Sequence, residues 1–491
     1  MKFDPKGGQL KFLSKEDVEK IHQTSLGILE KIGMKSSSDA IARFFARAGA
    51  NVDKKTGLIK IPEHLIKEAL RKAPSKVTIY GRDSEKAIIL ENKQIFFGLG
   101  GTPTPYILDY KTGEWRRPTK RDMVNATRLG DALSEMDFIM TIAGAFDVPY
   151  ELEYIHEWEA LLSNTVKPIV YPAPGLFSVD KVIQMGKAIK GEELKREPPF
   201  GVYVEVPTPL MFHTANENIP RLAENHIPIV VGQMPQLGAT APMTIAGAAA
   251  VSNAENLAIL TLAELTSSGA PFVLGSLCGP LDMRTTRLSY GAPEFTIGNV
   301  VNAGLAEFYD LPTFGFGGCS DSKLPDAQAG AEVMMNSLTS AFSGINLIHD
   351  CGYLASGSIG SMEMSVICNE VAGMVKRIIK GFKVDEETLA FDVINEVGPG
   401  GHFLSHPHTL KHVSTLYLAE LFSKESEVKW AKLGKQDVRA KAREKVAEIL
   451  SKHIVKDKTL NEKLKEIVKK AEQEIKQKEK QASALEVRPE I

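Results

Sequence analysis

Eight short apolar runs, each followed by a helical stretch, constrain this chain more than any other feature. They are residues 94–98, 138–143, 168–171, 200–205, 228–233, 271–276, 312–317 and 345–349. Helical stretches separate them at 120–133, 151–163, 179–189, 215–225, 246–266, 293–309 and 326–342, and a last one follows at 362–379. Strands that are apolar along their whole length and alternate with helices form a parallel sheet covered on its outer side. Eight such units over about 290 residues have the size of a (β/α)8 barrel. The fold class expected is therefore α/β, a (β/α)8 TIM barrel over 91–385. An open doubly wound sheet is the rival, but it advertises a glycine-rich phosphate turn after its first strand. Gly98-Leu99-Gly100-Gly101 and Gly315-Phe316-Gly317-Gly318 both miss the third glycine of that turn, and no P-loop occurs.

The flanks differ in texture. Residues 1–90 read as a helical N-terminal extension, with Ser14 and Asp17 opening an amphipathic run that closes near Gly33 and Pro62 starting a second helix. Lys55-Thr56-Gly57 and Lys111-Thr112-Gly113 read as hairpin turns. A Gly/His-rich capping segment is expected at 386–423 and charged C-terminal helices at 424–491, where Val446, Leu450, Leu464 and Val468 belong to a narrow apolar stripe. That stripe suits packing on the barrel or on a neighbouring subunit.

Lys+Arg 59 against Asp+Glu 61 leaves a formal charge of -2, which argues against a nucleic-acid binder. The four cysteines form no CxxC and no framework, which fits a reducing, cytoplasmic compartment. The N-terminus lacks the apolar core of a signal sequence, and the most membrane-like stretch, 243–265, is interrupted by Asn253, Glu255 and Glu264. No membrane association is expected.

Chemistry in such a barrel sits at the C-terminal strand ends. Those positions hold Glu205, Gln233 with Met234, Ser276, Phe314, Phe316, Asp321 with Lys323, His349 with Asp350, and Tyr353. Asp326 fits either a functional role or a helix N-cap. His349, Cys351 and Cys319 invite a zinc reading, although the ligands would have to converge from separate loops. In GPGGHFLSHPHTLKH, residues 398–412, two His pairs stand four apart, but Pro407 breaks a continuous helix, so a glycine-hinged cover or structural cap is the better reading than a metal site.

Four motifs in order, GLGGTPTPYILD (98–109), GGCSDSKLPDAQAG (317–330), NEVAGMVKR (369–377) and GPGGHFL (398–404), resemble the trimethylamine methyltransferase superfamily. The resemblance runs from the N-terminal extension to about residue 430. It implies a barrel that moves a methyl group from a methylated amine to the Co(I) centre of a separate corrinoid protein. The chain has no pyrrolysine, so it resembles the non-pyrrolysine branch, some of whose members demethylate quaternary amines such as glycine betaine, the substrate expected here.

A quaternary ammonium already has a neutral amine as its leaving group, so the protein supplies mainly position and electrostatics. An aromatic face for the cation is expected from Phe97, Tyr106, Phe314, Phe316 and Tyr353. Donors to a betaine carboxylate are expected from His349, held beside Asp350, from Lys323, or from the Gln233 amide. Glu205 or Asp321 would balance the cation, and His349, Asp321 and Glu205 form the expected catalytic set. The corrinoid is expected on a partner protein, with no S-adenosylmethionine, no metal, and a homo-oligomeric enzyme. The alternatives are a zinc-dependent barrel of the methanol methyltransferase type, a metal-assisted lyase, and a betaine-binding barrel without turnover.

Overall fold

The eight apolar runs close on themselves. The computed structural model, which describes residues 7–455 and 457–486, contains a closed barrel of parallel strands. They are β1 (Phe96–Leu99), β2 (Phe138–Ile139), β3 (Ile169–Pro172), β4 (Phe200–Val204), β5 (Ile229–Val231), β6 (Phe272–Gly275), β7 (Thr313–Phe316) and β8 (Leu347–Cys351). Each pairs with the next in chain order and β8 returns to β1, so the open-sheet alternative is out.

The covering helices are α1 (Lys120–Ala132), α2 (Glu153–Asn164), α3 (Gly175–Lys190), α4 (Asn218–Glu224), α5 (Ile245–Thr266), α6 (Pro293–Tyr309), α7 (Ala327–Ser343) and α8 (Met362–Ile379). Their starts follow from local chemistry. Thr119 and Asp122 form a capping box at α1, and Arg116 grips the Asp122 carboxylate through two 2.7 Å bonds. Asp326 accepts the Ala329 N–H at 3.0 Å, which settles it as the N-cap of α7. α5 is the one helix among the described residues long and apolar enough to cross a membrane, and most of it is buried inside the fold.

Alternation along the strands decides which side chains fill the bore. Phe96, Phe138, Val170, Tyr203, Val230, Val273, Phe314 and Leu347 form one interior cluster. Val77, Ile79, Ile88 and Leu90, from a hairpin of Val77–Ile79 and Ile88–Leu90, join that cluster and plug the barrel's N-terminal end. The N-terminal extension is thus more than helices. Met34–Ser36, Leu58–Lys60 and Asn51–Asp53 form a sheet with Met211–Phe212 from the loop after β4. Its short strands alternate over only three residues, too few for periodicity to reveal.

At the other end, two small sheets grow out of the strand-to-helix loops. Tyr353–Leu354, Ile359–Ser361, Tyr106–Leu108 and Trp115–Arg116 make one; Gln236–Leu237, Gly279–Asp282 and Arg287–Leu288 make the second.

Past the barrel, α9 (Val438–Lys452) lies against α8 and α1, and α10 (Lys458–Glu486) lies against α2 and α3. Ala442, Val446, Leu460, Leu464, Val468 and Ala471 are the buried stripe. Burying a Val or Leu contributes about 1.5–3 kcal/mol, enough in sum to hold the pair on the barrel. Charge fixes their register: Arg443 meets the fully buried Glu363 at 2.9 Å, and His453 meets Asp131 at 2.7 Å. Residues 1–6 of the N-terminal extension, residue 456 and residues 487–491 of the C-terminal segment lie outside the described residues.

Candidate active site

At the C-terminal ends of β1 to β4 lies a cavity of about 640 Å³. Its floor comes from β4 and the residues just after it, Tyr203 to Pro207, and one wall from the first turn of α2, Glu153, Tyr154 and Glu157. Phe146 adds a third aromatic side chain, and Asn216, Asn218 and His213 close the far side. Every barrel helix begins at the mouth, so first-turn residues of α2 face the site that strand ends define.

The wall is acidic. Glu157 is buried and accepts the Ala145 N–H and the Tyr171 O–H, each at 2.9 Å. Burial outweighs these bonds and pushes its carboxyl up to about 7. Glu205 is open to the cavity's water but enclosed by protein on its other sides, and that loss of solvent raises its carboxyl above the usual range. Glu153 is raised by the same cause. The Tyr203 hydroxyl lies 2.9 Å from the Gly232 carbonyl and 3.1 Å from Glu205 Oε2. Its one proton serves one acceptor at a time, so both contacts are satisfied together when Glu205 is protonated. Asn218 donates to the Ala173 carbonyl at 2.9 Å, while its buried Oδ1 finds no partner among the described residues. Among the described residues no Lys or Arg lines this cavity.

Of the side chains singled out in the sequence, Glu205 lines the cavity and the others are placed elsewhere. Phe97 belongs to the outward face of β1, under Lys376 of α8 at 6.0 Å from its ring, because Phe96 takes the inward position. Tyr106 stands half exposed on a sheet above the mouth. The Gln233 amide is spent on the backbone of Val206, donating to its carbonyl and accepting from its N–H at 3.1 Å each. Phe316 is covered by Phe295 of α6, with ring centroids 3.7 Å apart. Ser276 is buried against Ser252 at 2.7 Å. These residues lie outside the lining of this cavity.

The two polar loops lie outside that lining as well. Asp321 accepts from Ser289 Oγ, from the Tyr290 N–H at 2.8 Å and from Ser356 Oγ at 2.6 Å, so its carboxylate ties loops together. Lys323 is exposed and bonds the Asp321 carbonyl at 2.8 Å. Tyr353 is buried and donates to the Thr102 carbonyl. His349 does lie in the bore, stacked on Phe314 at 4.1 Å; its Nδ1 meets the Gly315 carbonyl at 2.8 Å, and its Nε2 lies 3.2 Å from Asp350 Oδ1. It stands outside the lining of this cavity.

The zinc reading finds no ligand set. β8 is irregular between Ile348 and Cys351, with Asp350 at a φ of 73°. That irregularity turns Cys351 outward, its Cα and Sγ against Gly318, while His349 points into the bore. Among the described residues no three His, Cys, Asp or Glu side chains are grouped to hold a metal ion.

The groups that sequence reasoning missed are Phe146, Glu153, Tyr154, Glu157 and Tyr203. Glu153 and Glu157 stand four apart and read as the solvated face of an amphipathic helix; the available signal was their place in a helix's first turn at the barrel mouth. Tyr203 sits two residues before Glu205 on the same strand face, which the period-two rule reaches directly.

Comparison with known proteins agrees with this architecture. The family model described as trimethylamine methyltransferase (MTTB) matches residues 4–476. A trimethylamine methyltransferase MttB of Desulfitobacterium hafniense (strain DSM 10664 / DCB-2) is 34% identical over 90% of this chain and 89% of its own. The MttB of Methanosarcina barkeri (strain Fusaro / DSM 804) is 32% identical over 91% and 92%. A glycine betaine methyltransferase of Desulfitobacterium hafniense (strain Y51) is 30% identical over 90% and 92%. With a closed eight-stranded barrel, a mouth cavity at the catalytic end and a family match across nearly its whole length, the chain belongs to the trimethylamine methyltransferase family.

Proposed function

We propose that this methyltransferase moves a methyl group from a quaternary ammonium compound to the Co(I) of a corrinoid carried by a separate protein. The observation that carries the reading is the cavity itself: three carboxyls and two tyrosines line it with no Lys or Arg among the described residues. Such walls attract a cation through charge and through aromatic faces, each well-placed ring adding about 0.5–2 kcal/mol. A corrinoid in the Co(I) state supplies the nucleophile, so one N–CH3 bond breaks, a Co–CH3 bond forms, and a neutral tertiary amine departs. An acceptor from outside also suits the chain's own thiols. Burial pushes Cys278 up to about 12 and Cys319 well above the ordinary thiol range, and the hydrogen bond with Cys368, then burial, does the same to Cys351, so none of these three offers a thiolate.

The raised carboxyls suit this chemistry. The amine loses its charge as the methyl group leaves, so walls that held the cation very tightly would stabilise the ground state more than the transition state. A carboxyl such as Glu157, partly protonated near neutral pH, attracts the cation without that penalty.

The same lining bears on which amine. Glycine betaine carries a carboxylate that three acidic neighbours repel. We therefore propose a trimethylammonium compound without a carboxylate, of which choline is the simplest probe. Glycine betaine is the second reading, favoured by His213, whose Nδ1 accepts the Ala215 N–H at 3.3 Å and so leaves the proton on Nε2 as a donor at the cavity's edge.

The test is spectroscopic: methylation of cob(I)alamin by the enzyme with choline, tetramethylammonium, glycine betaine, proline betaine, carnitine and trimethylamine. Faster turnover of the carboxylate-free quaternary amines supports the first reading. Glycine betaine leading the panel establishes the second. Binding without methylation of cob(I)alamin by any of them would leave a binding barrel and overturn the proposal.

A further inference from the structure

Pro407 opens a helix instead of breaking one. Pro407–His412 is helical, with the proline at its first position, where the missing N–H costs nothing. The spacing of four between His408 and His412 therefore places both on one helical face, and their ring centroids lie 4.2 Å apart. In both rings Nε2 is shut off from solvent and has no hydrogen-bond partner among the described residues. Such orphaned groups are rare in folded proteins unless a water or an ion meets them. Two of them on adjacent rings point to a single group that both can bind.

The charges around the pair suit a cation. Glu387, in the short helix Glu386–Leu389, has Oε1 3.4 Å from His412 Nε2, and Lys411 reaches the same oxygen at 2.5 Å. Lys411 is mostly exposed, so its ammonium is free to swing into water when a cation takes its place. His406 is already committed, with Nδ1 accepting the His408 N–H at 3.1 Å and Nε2 facing Glu396 at 3.4 Å. The segment between α8 and α9 is held on α8 at several points. Arg377 donates to the carbonyls of Gly381 at 2.8 Å and Thr415 at 3.2 Å. Glu370 accepts the Tyr417 O–H at 2.7 Å and the N–H groups of Glu420 and Leu421 at 3.1 and 2.8 Å. Between these anchors, Glu386–Leu389 and Pro407–His412 meet through Glu387, Lys411 and His412. Helices this short are marginal in water unless something ties them down.

We propose that His408 and His412 bind a divalent first-row transition metal, with Zn2+ as the representative ion. Imidazole nitrogen suits zinc, copper and nickel, whereas calcium and magnesium take oxygen ligands. Two histidines four apart on a helix are a recurrent pair of zinc ligands. Among the described residues no third His, Cys, Asp or Glu is grouped with them to hold the ion, so water completes the coordination and Glu387 balances the charge. A site with two protein ligands is open and exchangeable, unlike a closed structural zinc site with four. The ion joins the two short helices and takes no part in methyl transfer. α8 begins at the barrel mouth and ends at the opposite face, as helices of this fold do, so the segment that follows it emerges away from the cavity.

The experiment titrates zinc chloride into the untagged, chelator-treated, full-length enzyme by calorimetry, with hydrogen–deuterium exchange in parallel. One Zn2+ per chain should bind to the wild type, and magnesium chloride should not displace it. His408→Gln and His412→Gln should each weaken binding at least about tenfold, since even groups that only support a ligand cost that much when lost. The control His402→Gln/His406→Gln should keep the wild-type affinity. Zinc should also slow exchange of the Glu386–Leu389 and Pro407–His412 amides in the wild type and leave them unchanged in His408→Gln/His412→Gln. A wild type that binds no zinc overturns the proposal, and so does a His408→Gln/His412→Gln variant that binds it as tightly as the wild type. If that variant misfolds, exchange in the wild type decides: zinc-dependent protection of these two helices supports the site, and its absence overturns it.

Discussion

His349 Nε2 lies 3.2 Å from Asp350 Oδ1, and both side chains are buried. Burial holds the His349 imidazole down at about 4 and Asp350 well above the usual carboxyl range. The imidazole places its own proton on the Gly315 carbonyl, so Nε2 is the acceptor nitrogen, and burial favours the uncharged form of both groups. The His349 ring also stacks on Phe314, with centroids 4.1 Å apart.

Asp350→Asn is therefore expected to be mild. The Asn amide can donate to Nε2 in place of the carboxyl proton, and Asn tolerates the positive φ of 73° at this position. A loss of about 1 kcal/mol or less in urea unfolding is expected. A loss of about 3–5 kcal/mol is what breaking a buried ion pair would cost, and would show that the pair is charged.

Glu157 sets a pH dependence whose sign is fixed. Its folded value of about 7 is raised above the ordinary carboxylate value of about 4.5, so the folded state binds the extra proton between these limits. Stability should fall as pH rises through that window, by on the order of 3 kcal/mol if Glu157 acted alone. Binding of a permanent cation should move the other way. As Glu157 ionises, KM for a quaternary amine should drop by up to about tenfold between pH 6 and pH 8. Glu153 and Glu205 share the cavity and are raised in the same direction by the same loss of solvent, so they contribute to the profile with the same sign. In Glu157→Gln the fall in KM near pH 7 should be largely lost. A quaternary amine does not titrate, so a slope unchanged in that variant would place the ionisation elsewhere.

Glu205→Gln and Lys323→Ala separate the cavity from the loops. Removing one carboxylate beside a cation, at an effective dielectric near 20 and about 6 Å, costs about 2–3 kcal/mol, so KM should rise roughly ten- to hundredfold in the first variant. Lys323 stands exposed on a loop outside the lining, and its removal should leave kcat/KM within about twofold. Steady-state kinetics with the best quaternary amine reads both. The reverse ranking would return the site to the β7 loop.

The barrel was legible in the sequence because its strands are apolar on both faces. Residues such as Ile169 to Pro172 and Phe272 to Gly275 are buried throughout, and nothing but a covered parallel sheet uses such runs with helices between them. The site was less legible because the last turn of each strand decides it by single-residue parity. Phe96 and Phe97 are chemically identical, and only the register of β1 sends one inward and the other under Lys376. The irregularity at Asp350 reverses the parity that would have set Cys351 beside His349, and no residue type announces it. Glu205 was found because it ends its strand. Glu157 was not, because its neighbour Tyr171 comes from a separate element, β3, and a carboxylate on a helix reads as solvated until that packing is known.

Gly232→Ala tests whether Tyr203 is held by steric necessity. Gly232 directly follows β5, and a Cβ there would sit 2.3 Å from Tyr203 Cε2 and 2.7 Å from its hydroxyl oxygen. The contact is with a ring fully packed in the bore, against Phe314 at 5.8 Å, so it cannot give way cheaply. The Tyr203 hydroxyl also meets the Gly232 carbonyl at 2.9 Å and Glu205 at 3.1 Å, so displacing the ring disturbs the carboxyl that faces the substrate. The substitution should cost about 1–3 kcal/mol in urea unfolding and lower kcat/KM at least about tenfold. Tyr203→Leu removes the ring that the new methyl group strikes. The two changes together should therefore cost less stability than the sum of each alone, with a coupling of about 0.5–3 kcal/mol in the double-mutant cycle. Strict additivity would mean that the strand shifts to admit the methyl group, and that Gly232 is not what holds Tyr203 against Glu205.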